Sequence, residues 1–263
     1  QDKVCFTQQL SEIKNKYRSN IQYFIYKSII LRNLYGVDIM AEAVEIAKLR
    51  LFLKMVAVVD VDKRADNLGL DPLPDIDFNI RCGNTLVGYA NKKGIEEDIL
   101  GDDGNLFLYE EALQKINEQL ELVSVAYAVF RDEQFNENDS INSYKHAKGE
   151  LSMALANLNA ELNSYMFKAS GVDSYEEWLE DYQPFHWIAE FYQIIQEGGF
   201  DVIIGNPPYV VYNEKSSKYK IKGYKTQICS DLYAFVIERS TQISKDNCGF
   251  GMIVPISIVS TDG

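Results

Sequence analysis

The tetrapeptide Asn206-Pro207-Pro208-Tyr209 combines residue types that could bind a planar amine. The Asn side chain offers one amide oxygen that accepts hydrogen bonds and one NH2 group that donates them. The two prolines fix two φ angles and remove two N–H donors, which leaves stiff backbone carbonyls free to face a ligand. The Tyr ring could stack on another flat ring. Such a site could accept both hydrogens of an exocyclic NH2 group and favour attack by the nitrogen lone pair.

An apolar run, Phe200 to Gly205, precedes the tetrapeptide and predicts a β-strand that ends in a sharp turn. Ligands of open α/β folds bind at the carboxyl ends of the strands, so the strand would deliver the tetrapeptide to the ligand edge of a sheet. A plainer alternative stays open. The two prolines could form a rigid turn, with Tyr209 packed against it as an ordinary core residue.

The segment after the tetrapeptide, residues 212–228, is a polar loop that interleaves lysines with tyrosines. Phosphate neutralisation and aromatic contact are what such a segment can supply to a nucleic acid. A solvated loop without a ligand is the alternative. The candidate DNA-contact residues are Tyr212, Lys215, Lys218, Lys220, Lys222 and Lys225.

The remaining elements alternate between helix and strand. Apolar spacing predicts helices over residues 6–33, 41–58 and 231–245. Buried strands are predicted at residues 34–39, 77–87 and 249–257. This alternation predicts an α/β fold with a mostly parallel sheet. We divide the chain into residues 1–91, an insertion at 92–199 and residues 200–263.

The insertion, residues 92–199, is acidic and helical in pattern. It holds 7 Lys/Arg against 22 Asp/Glu, a net charge of −15, whereas the rest of the chain has a net charge of +2. The overall charge of −13 therefore does not exclude nucleic acid as a ligand of the flanking parts. The pattern predicts two long antiparallel helices with a turn around residues 136–140, packed internally or, alternatively, against a helical partner.

The composition excludes several classes of protein. With 46% hydrophobic residues, the chain of 263 residues can form a core. It has no apolar run of membrane-spanning length and no signal-peptide pattern, so we expect a cytoplasmic protein without a membrane partner. The cysteines are far apart and only two histidines occur, so we expect reduced thiols and no metal site.

Several segments, taken in order, resemble one family of enzymes. Phe200 to Val210, FDVIIGNPPYV, resembles motif IV of amino-methyltransferases in the NPPY form typical of adenine-N6 DNA enzymes. Leu34 to Leu53 is similar to motif II and its helix in the Eco57I-like restriction–modification methyltransferases, and Asp77 to Tyr89 resembles their motif III. Residues 231–235 and 249–257 are similar to the helix and strand that follow the catalytic loop in that family. The resemblance covers the chain outside the insertion.

The resemblance implies a Rossmann-like class I methyltransferase core that uses S-adenosylmethionine. It implies that Asp38 binds the ribose hydroxyls of the cofactor and Ile39 packs against its adenine. Asn84 stands where the family commonly has Asp and would contact the adenine amine, with Leu86 lining the same pocket. Asp38 could alternatively cap the helix that begins at residue 41.

For the target side, the resemblance assigns Asn206, Pro207 and Tyr209 to catalysis, with Pro208 shaping the loop. The substrate would be double-stranded DNA with an adenine flipped out of the stack. The amine would attack the sulfonium methyl in line, without a covalent enzyme–base intermediate.

The sequence departs from the family at one point. The first motif, an acidic residue and Gly-rich turn that hold the methionine part of the cofactor, has no match in the chain, and the first strand of the sheet would be missing with it. We therefore expect a fragment of a bacterial or archaeal restriction–modification or phage-defence enzyme. Alone it should be inactive and bind the cofactor weakly. Mg2+ would matter only if the parent protein also carries a nuclease.

Two other functions fit parts of the pattern. An NPPY methyltransferase could act on a protein glutamine or an RNA guanine, since both present a planar amine. The insertion of about 110 residues fits large restriction enzymes better than these compact enzymes. A non-catalytic assembly module, with the acidic helices binding a partner subunit, is the third hypothesis.

Overall fold

The chain divides into two compact units, Gln1–Cys82 and Gly83–Gly263. This computed structural model describes Tyr17, residues 20–64, Leu68, residues 72–103, 106–135 and 141–256, and Ile258. The part of the predicted first helix before Tyr17 and the predicted turn at residues 136–140 lie outside the described residues. Each unit is mixed α/β with short parallel strands, as the alternating pattern predicts.

In the described part of the first unit, each helix is followed by a strand. Its elements are α1 (Ile21–Asn33), β1 (Gly36–Asp38), α2 (Ala41–Val56) and β2 (Ile80–Cys82). β1 and β2 pair in parallel, with Gly36 opposite Ile80 and Asp38 opposite Cys82. The Asn79 amide donates hydrogen bonds of 3.1–3.2 Å to carbonyls at the end of α1. Because those carbonyls have no partner within the helix, Asn79 satisfies them and fixes the start of β2 against α1.

The second unit begins with the helical insertion. Its helices are α3 (Lys92–Asp103), α4 (Leu106–Glu133), α5 (Ile141–Ser170), α6 (Tyr175–Tyr182), α7 (Trp187–Glu190) and α8 (Tyr192–Gln196). α4 and α5 run antiparallel, because Lys115 near the start of α4 pairs with Glu161 near the end of α5 at 2.7 Å. At the opposite end, the rings of Phe130 and Tyr144 lie 5.7 Å apart. None of the described helices is long and apolar enough to cross a membrane.

One stripe of apolar residues on each helix forms the interface between α4 and α5. Ile116, Leu120 and Val123 are buried on α4, and the leucines at 151, 155, 158 and 162 are buried on α5. Burial of one stripe per helix is what holds an antiparallel pair together. The prediction of internal packing is therefore confirmed for these residues.

The last part of the second unit carries β3 (Phe200–Gly205), a 3-10 helix (Lys225–Cys229), α9 (Leu232–Gln242) and β4 (Ser244–Met252). β3 and β4 pair in parallel, with Ile203 opposite Phe250 and Gly205 opposite Met252. β4 begins five residues before the predicted strand at 249–257, because α9 ends early at Gln242. Within the described residues, β3 pairs with β4 alone, and Val202 and Ile204 on it are 66% and 79% exposed.

Candidate active site

The tetrapeptide begins directly after β3. The Gly205 carbonyl accepts a 3.0 Å hydrogen bond from the Ile253 N–H, which holds the end of β3 to the residue after β4. A Cβ on Gly205 would lie 2.9 Å from the Met252 sulfur, so glycine permits this close approach. Asn206 is exposed and Pro207 is buried. The strand therefore anchors the proline and presents the Asn amide to solvent.

Tyr209 is held in place by two contacts and remains accessible to solvent. Its hydroxyl donates a 2.9 Å hydrogen bond to the Ile253 carbonyl. The Tyr233 ring meets it edge-on, with centroids 6.5 Å apart and an interplanar angle of 87°. The Tyr209 side chain remains 53% exposed. The alternative of an ordinary packed core tyrosine does not describe this ring, which is oriented and accessible.

The loop after the tetrapeptide is closed at its base. The Tyr212 N–H donates to the Ser230 carbonyl at 2.6 Å, and the Leu232 N–H donates to the Val210 carbonyl at 2.9 Å. Val211 and Asp231 form an antiparallel bridge between these two bonds. We call residues 212–230 the arm. Its two ends meet beside the tetrapeptide, so the arm projects from the candidate site.

The interior of the arm is packed. Tyr212 is only 8% exposed, and its hydroxyl donates to the Tyr219 carbonyl at 3.2 Å and accepts from the Ile221 N–H at 2.9 Å. Because this ring lies inside the arm, its predicted contact with DNA is not available in this conformation. Tyr212 shares a buried cluster with Leu86, Ile221, Tyr224 and Phe235.

The five lysines of the arm are all exposed, but they are not equivalent. The Lys218 ammonium lies 3.3 Å from the Asp181 carboxylate of α6. The Lys222 ammonium donates to the Ala169 carbonyl on α5 at 3.0 Å. Both therefore fasten the arm to the insertion. Lys215, Lys220 and Lys225 carry the positive charge of the arm that remains for a ligand.

Asn84 and Leu86 lie within the second unit and face inward. Asn84 is 3% exposed, and its side-chain oxygen accepts a 3.1 Å hydrogen bond from the Leu86 N–H. Its amide nitrogen is buried beside the Tyr219 hydroxyl of the arm. Leu86 is 6% exposed, and its carbonyl accepts from the Tyr224 hydroxyl at 2.9 Å. In this conformation both residues contact the arm, and neither buried side chain is accessible to a cofactor.

Asp38 and Ile39 lie in the first unit, at the carboxyl end of β1. One Asp38 carboxylate oxygen accepts from the Met40 N–H at 2.8 Å. This bond resembles the predicted capping role, although Met40 rather than Asp38 occupies the N-cap position of α2. Asp38 is exposed and Ile39 is 46% exposed. An anionic oxygen and an apolar side chain therefore stand together at an exposed strand end.

Sequence reasoning missed two residues of α9 that support the arm. The Glu238 carboxylate accepts hydrogen bonds from the Lys225 and Thr226 N–H groups at 2.9 and 2.8 Å. The Arg239 guanidinium is 6% exposed and bonds the Tyr224 hydroxyl at 2.7 Å. Adjacent acidic and basic residues in an amphipathic helix are usually exposed to solvent. The sequence alone therefore gives no indication that Glu238 and Arg239 make these contacts.

A buried histidine joins the insertion to the segment after Asn84. The His186 Nδ1 accepts from the Tyr89 N–H at 3.2 Å, so its Nε2 carries the proton and donates to the Asn163 side-chain oxygen at 2.9 Å. Burial, together with the positive charge of Arg239, lowers the pKa of His186 to about 3. A neutral buried imidazole with two bonded nitrogens is a structural element. Across the described residues, no group of three or more His, Cys, Asp or Glu side chains could hold a metal ion.

Comparisons with known proteins give a consistent result. The sequence pattern of the Eco57I restriction-modification methylase family matches residues 32–263. The chain is 32% identical, over 297 aligned positions, to a protein of Methanocaldococcus jannaschii provisionally described as a type II restriction enzyme and methyltransferase. The alignment covers 97% of this chain and 25% of that relative, so the chain spans about a quarter of the relative's length. No solved structure matches the chain.

Proposed function

We propose that this chain, which belongs to the Eco57I restriction-modification methylase family, carries the target-base site of a DNA adenine-N6 methyltransferase. One observation carries the proposal. Asn206 and Tyr209 are both exposed on a loop that is braced by β4 and α9. An exposed amide and an accessible aromatic ring on one loop are suited to a flat ring with an exocyclic amine.

On the target side, an adenine that has left the duplex stacks on Tyr209. Unstacking costs a few kcal/mol, of which stacking on an aromatic side chain returns about 1–3 kcal/mol. The Asn206 amide oxygen and the neighbouring Pro207 carbonyl accept the two N6 hydrogens. Electron density would then concentrate on N6, which would accept the methyl group that S-adenosylmethionine supplies and lose its surplus proton to water.

On the cofactor side, S-adenosylmethionine supplies an electrophilic methyl group when bound. Asp38 and Ile39 fit it, since a carboxylate with an oxygen to spare accepts ribose hydroxyls and an exposed apolar side chain packs on adenine. Asn84 and Leu86 do not offer contacts in the present conformation, because both side chains are buried. For these two residues, support of the arm is the better assignment.

The DNA backbone would be held by the arm. Lys215, Lys220 and Lys225 are exposed on a loop whose base adjoins the tetrapeptide. Each lysine that reaches a phosphate releases counterions and strengthens binding without reading sequence. The negative charge of the chain is concentrated in the insertion, so the arm presents a local basic surface.

The test is methyl transfer by the full-length protein with radiolabelled S-adenosylmethionine. Double-stranded DNA, RNA and a glutamine-containing protein substrate are offered separately, and the labelled nucleoside is identified as N6-methyladenine or another product. Asn206→Ala should reduce the transfer rate to DNA by about 100-fold or more, the effect of losing a well-placed polar contact in a transition state. If only RNA or only the protein substrate becomes labelled, the protein is an RNA-guanine or a protein-glutamine methyltransferase instead. Full activity of Asn206→Ala would exclude a catalytic role for Asn206.

A further inference from the structure

We propose that Glu238 and Arg239 of α9 are positioning residues that lock the arm in its DNA-binding conformation. This inference rests on the proposed function, since it assigns a role to the surface that holds the DNA. The two residues are consecutive, yet they fix different parts of the arm. Glu238 holds the 3-10 helix through its N–H groups, and Arg239 holds Tyr224 immediately before it.

Glu238 acts as an external cap. Its two carboxylate oxygens accept from the Lys225 N–H, the Thr226 N–H and the Thr226 hydroxyl at 2.8–2.9 Å. The N–H groups of a first helical turn have no partner within the helix, and a carboxylate there is favoured by the helix dipole as well. Partial burial acts to raise the pKa of Glu238, but these hydrogen bonds lower it overall. The charged form of Glu238 is therefore part of the locked arm.

Arg239 ties the arm to the segment after Asn84. Its Nε bonds the Tyr224 hydroxyl at 2.7 Å, and one terminal nitrogen donates to the Leu86 and Gly88 carbonyls at 3.3 and 2.9 Å. The Tyr224 hydroxyl also donates to the Leu86 carbonyl, which closes the network. A buried cation is costly unless every donor is placed, so these contacts define one position for Tyr224.

The same helix orients Tyr209. Tyr233, in the first turn of α9, meets the Tyr209 ring edge-on, whereas Glu238 and Arg239 lie in its last two turns. One rigid element of eleven residues thus holds the candidate base-stacking ring at one end and the far side of the arm at the other. Through α9, the position of the arm lysines is set relative to the tetrapeptide.

The experiment uses Glu238→Gln, Tyr224→Phe and Arg239→Lys in the full-length protein. Glu238→Gln is the primary variant, because its side chain is only partly buried and the fold should persist. Matched controls are Glu150→Gln and Tyr144→Phe, both in the first half of α5, whereas the arm contacts the end of that helix at Ala169. Hydrogen exchange of the peptide containing residues 225–229, affinity for a DNA duplex and affinity for S-adenosylmethionine are measured on each.

We expect hydrogen exchange of the Lys225 and Thr226 amides to be about tenfold faster in Glu238→Gln. This factor corresponds to the free energy that one hydrogen bond contributes. DNA affinity should fall by a similar factor in all three variants, whereas affinity for the cofactor and behaviour of both controls stay unchanged. Arg239→Lys should not rescue the arm, because an ammonium cannot reproduce the bonds of a planar guanidinium.

Faster exchange with unchanged DNA affinity would overturn the positioning role, and unchanged exchange in Glu238→Gln would show that the cap does not hold the arm. These outcomes are distinct from failure of the proposed function. In that case the unmodified protein itself would neither bind nor methylate DNA, although the exchange results would still report whether Glu238 orders the arm.

Discussion

The Tyr209 hydroxyl donates a 2.9 Å hydrogen bond to the Ile253 carbonyl, which joins the loop after β3 to the residue after β4. This bond uses the one polar atom of the side chain, and the residue remains 53% exposed. The orientation of the ring is therefore established without a ligand. A preorganised contact of this kind lowers the entropy lost when a base binds.

Replacement of Tyr209 should separate orientation from stacking. Tyr209→Phe keeps the ring, so we expect a loss of about 1 kcal/mol in the free energy of unfolding and a modest loss of methylation rate. Tyr209→Ala removes the stacking surface, worth about 1–3 kcal/mol, and should reduce methylation efficiency by about 5- to 150-fold. Urea unfolding and steady-state kinetics on duplex DNA measure the two effects. Equal losses of efficiency in both variants would contradict a stacking role.

Asp38→Ala should weaken binding of S-adenosylmethionine without changing DNA affinity. Hydrogen bonds to a charged group contribute about 1.5–3 kcal/mol, which corresponds to a loss of roughly 10- to 150-fold. Calorimetric titration of the full-length protein gives the affinity. Glu42→Ala, which removes a carboxylate from the first turn of α2, is the matched control for local charge. If both variants weaken binding equally, Asp38 does not contact the ribose.

The arm lysines should differ in their effect on the salt dependence of DNA binding. Lys215→Ala, Lys220→Ala and Lys225→Ala should each reduce the slope of log affinity against log salt by about 0.9, the value for one neutralised phosphate. Lys218→Ala should change it less, since its ammonium already faces Asp181. Fluorescence anisotropy over a series of salt concentrations measures the slopes. If every variant has the same slope as the unmodified protein, the arm does not contact phosphates.

His186 should make folding stability pH-dependent in mildly acidic solution. Its pKa is lowered from 6.5 to about 3 by burial and by Arg239, so between these values the unfolded chain binds a proton that the folded chain does not. The contribution is complete above pH 6.5 and is lost as the pH falls, at up to about 1.4 kcal/mol per pH unit. Urea unfolding of the unmodified protein and of His186→Gln at pH 7, 6 and 5 gives the comparison. The variant should be less stable at pH 7 and should show a shallower decline between pH 6.5 and 5, whereas equal slopes would contradict the assignment.

The sequence predicts the strand that precedes the tetrapeptide. The apolar run at residues 200–205 forms β3, and Asn206 to Tyr209 follow it directly. The leucines of α5 are equally predictable, because one repeating apolar stripe implies one buried face.

The direction of isolated polar side chains is not predictable in the same way. Asn84 lies in a turn, where no periodicity distinguishes an inward from an outward side chain, and it proves to be buried. Arg239 bonds backbone carbonyls about 150 residues earlier in the chain, a contact that leaves no pattern in residue types. The alternation of lysines and tyrosines predicts DNA contact for Tyr212, yet its hydroxyl is bonded inside the arm. Long-range packing determines all three positions.

The exposed residues of β3 have a consequence for handling the protein. Parallel strands are normally covered on both faces, yet Val202 and Ile204 are open to solvent on a strand that, within the described residues, pairs on one side only. An apolar strand edge of this kind is a template for pairing with another chain. At high concentration, this polypeptide should self-associate through β3, so its light scattering should increase with concentration. The substitution Ile204→Lys should prevent that increase.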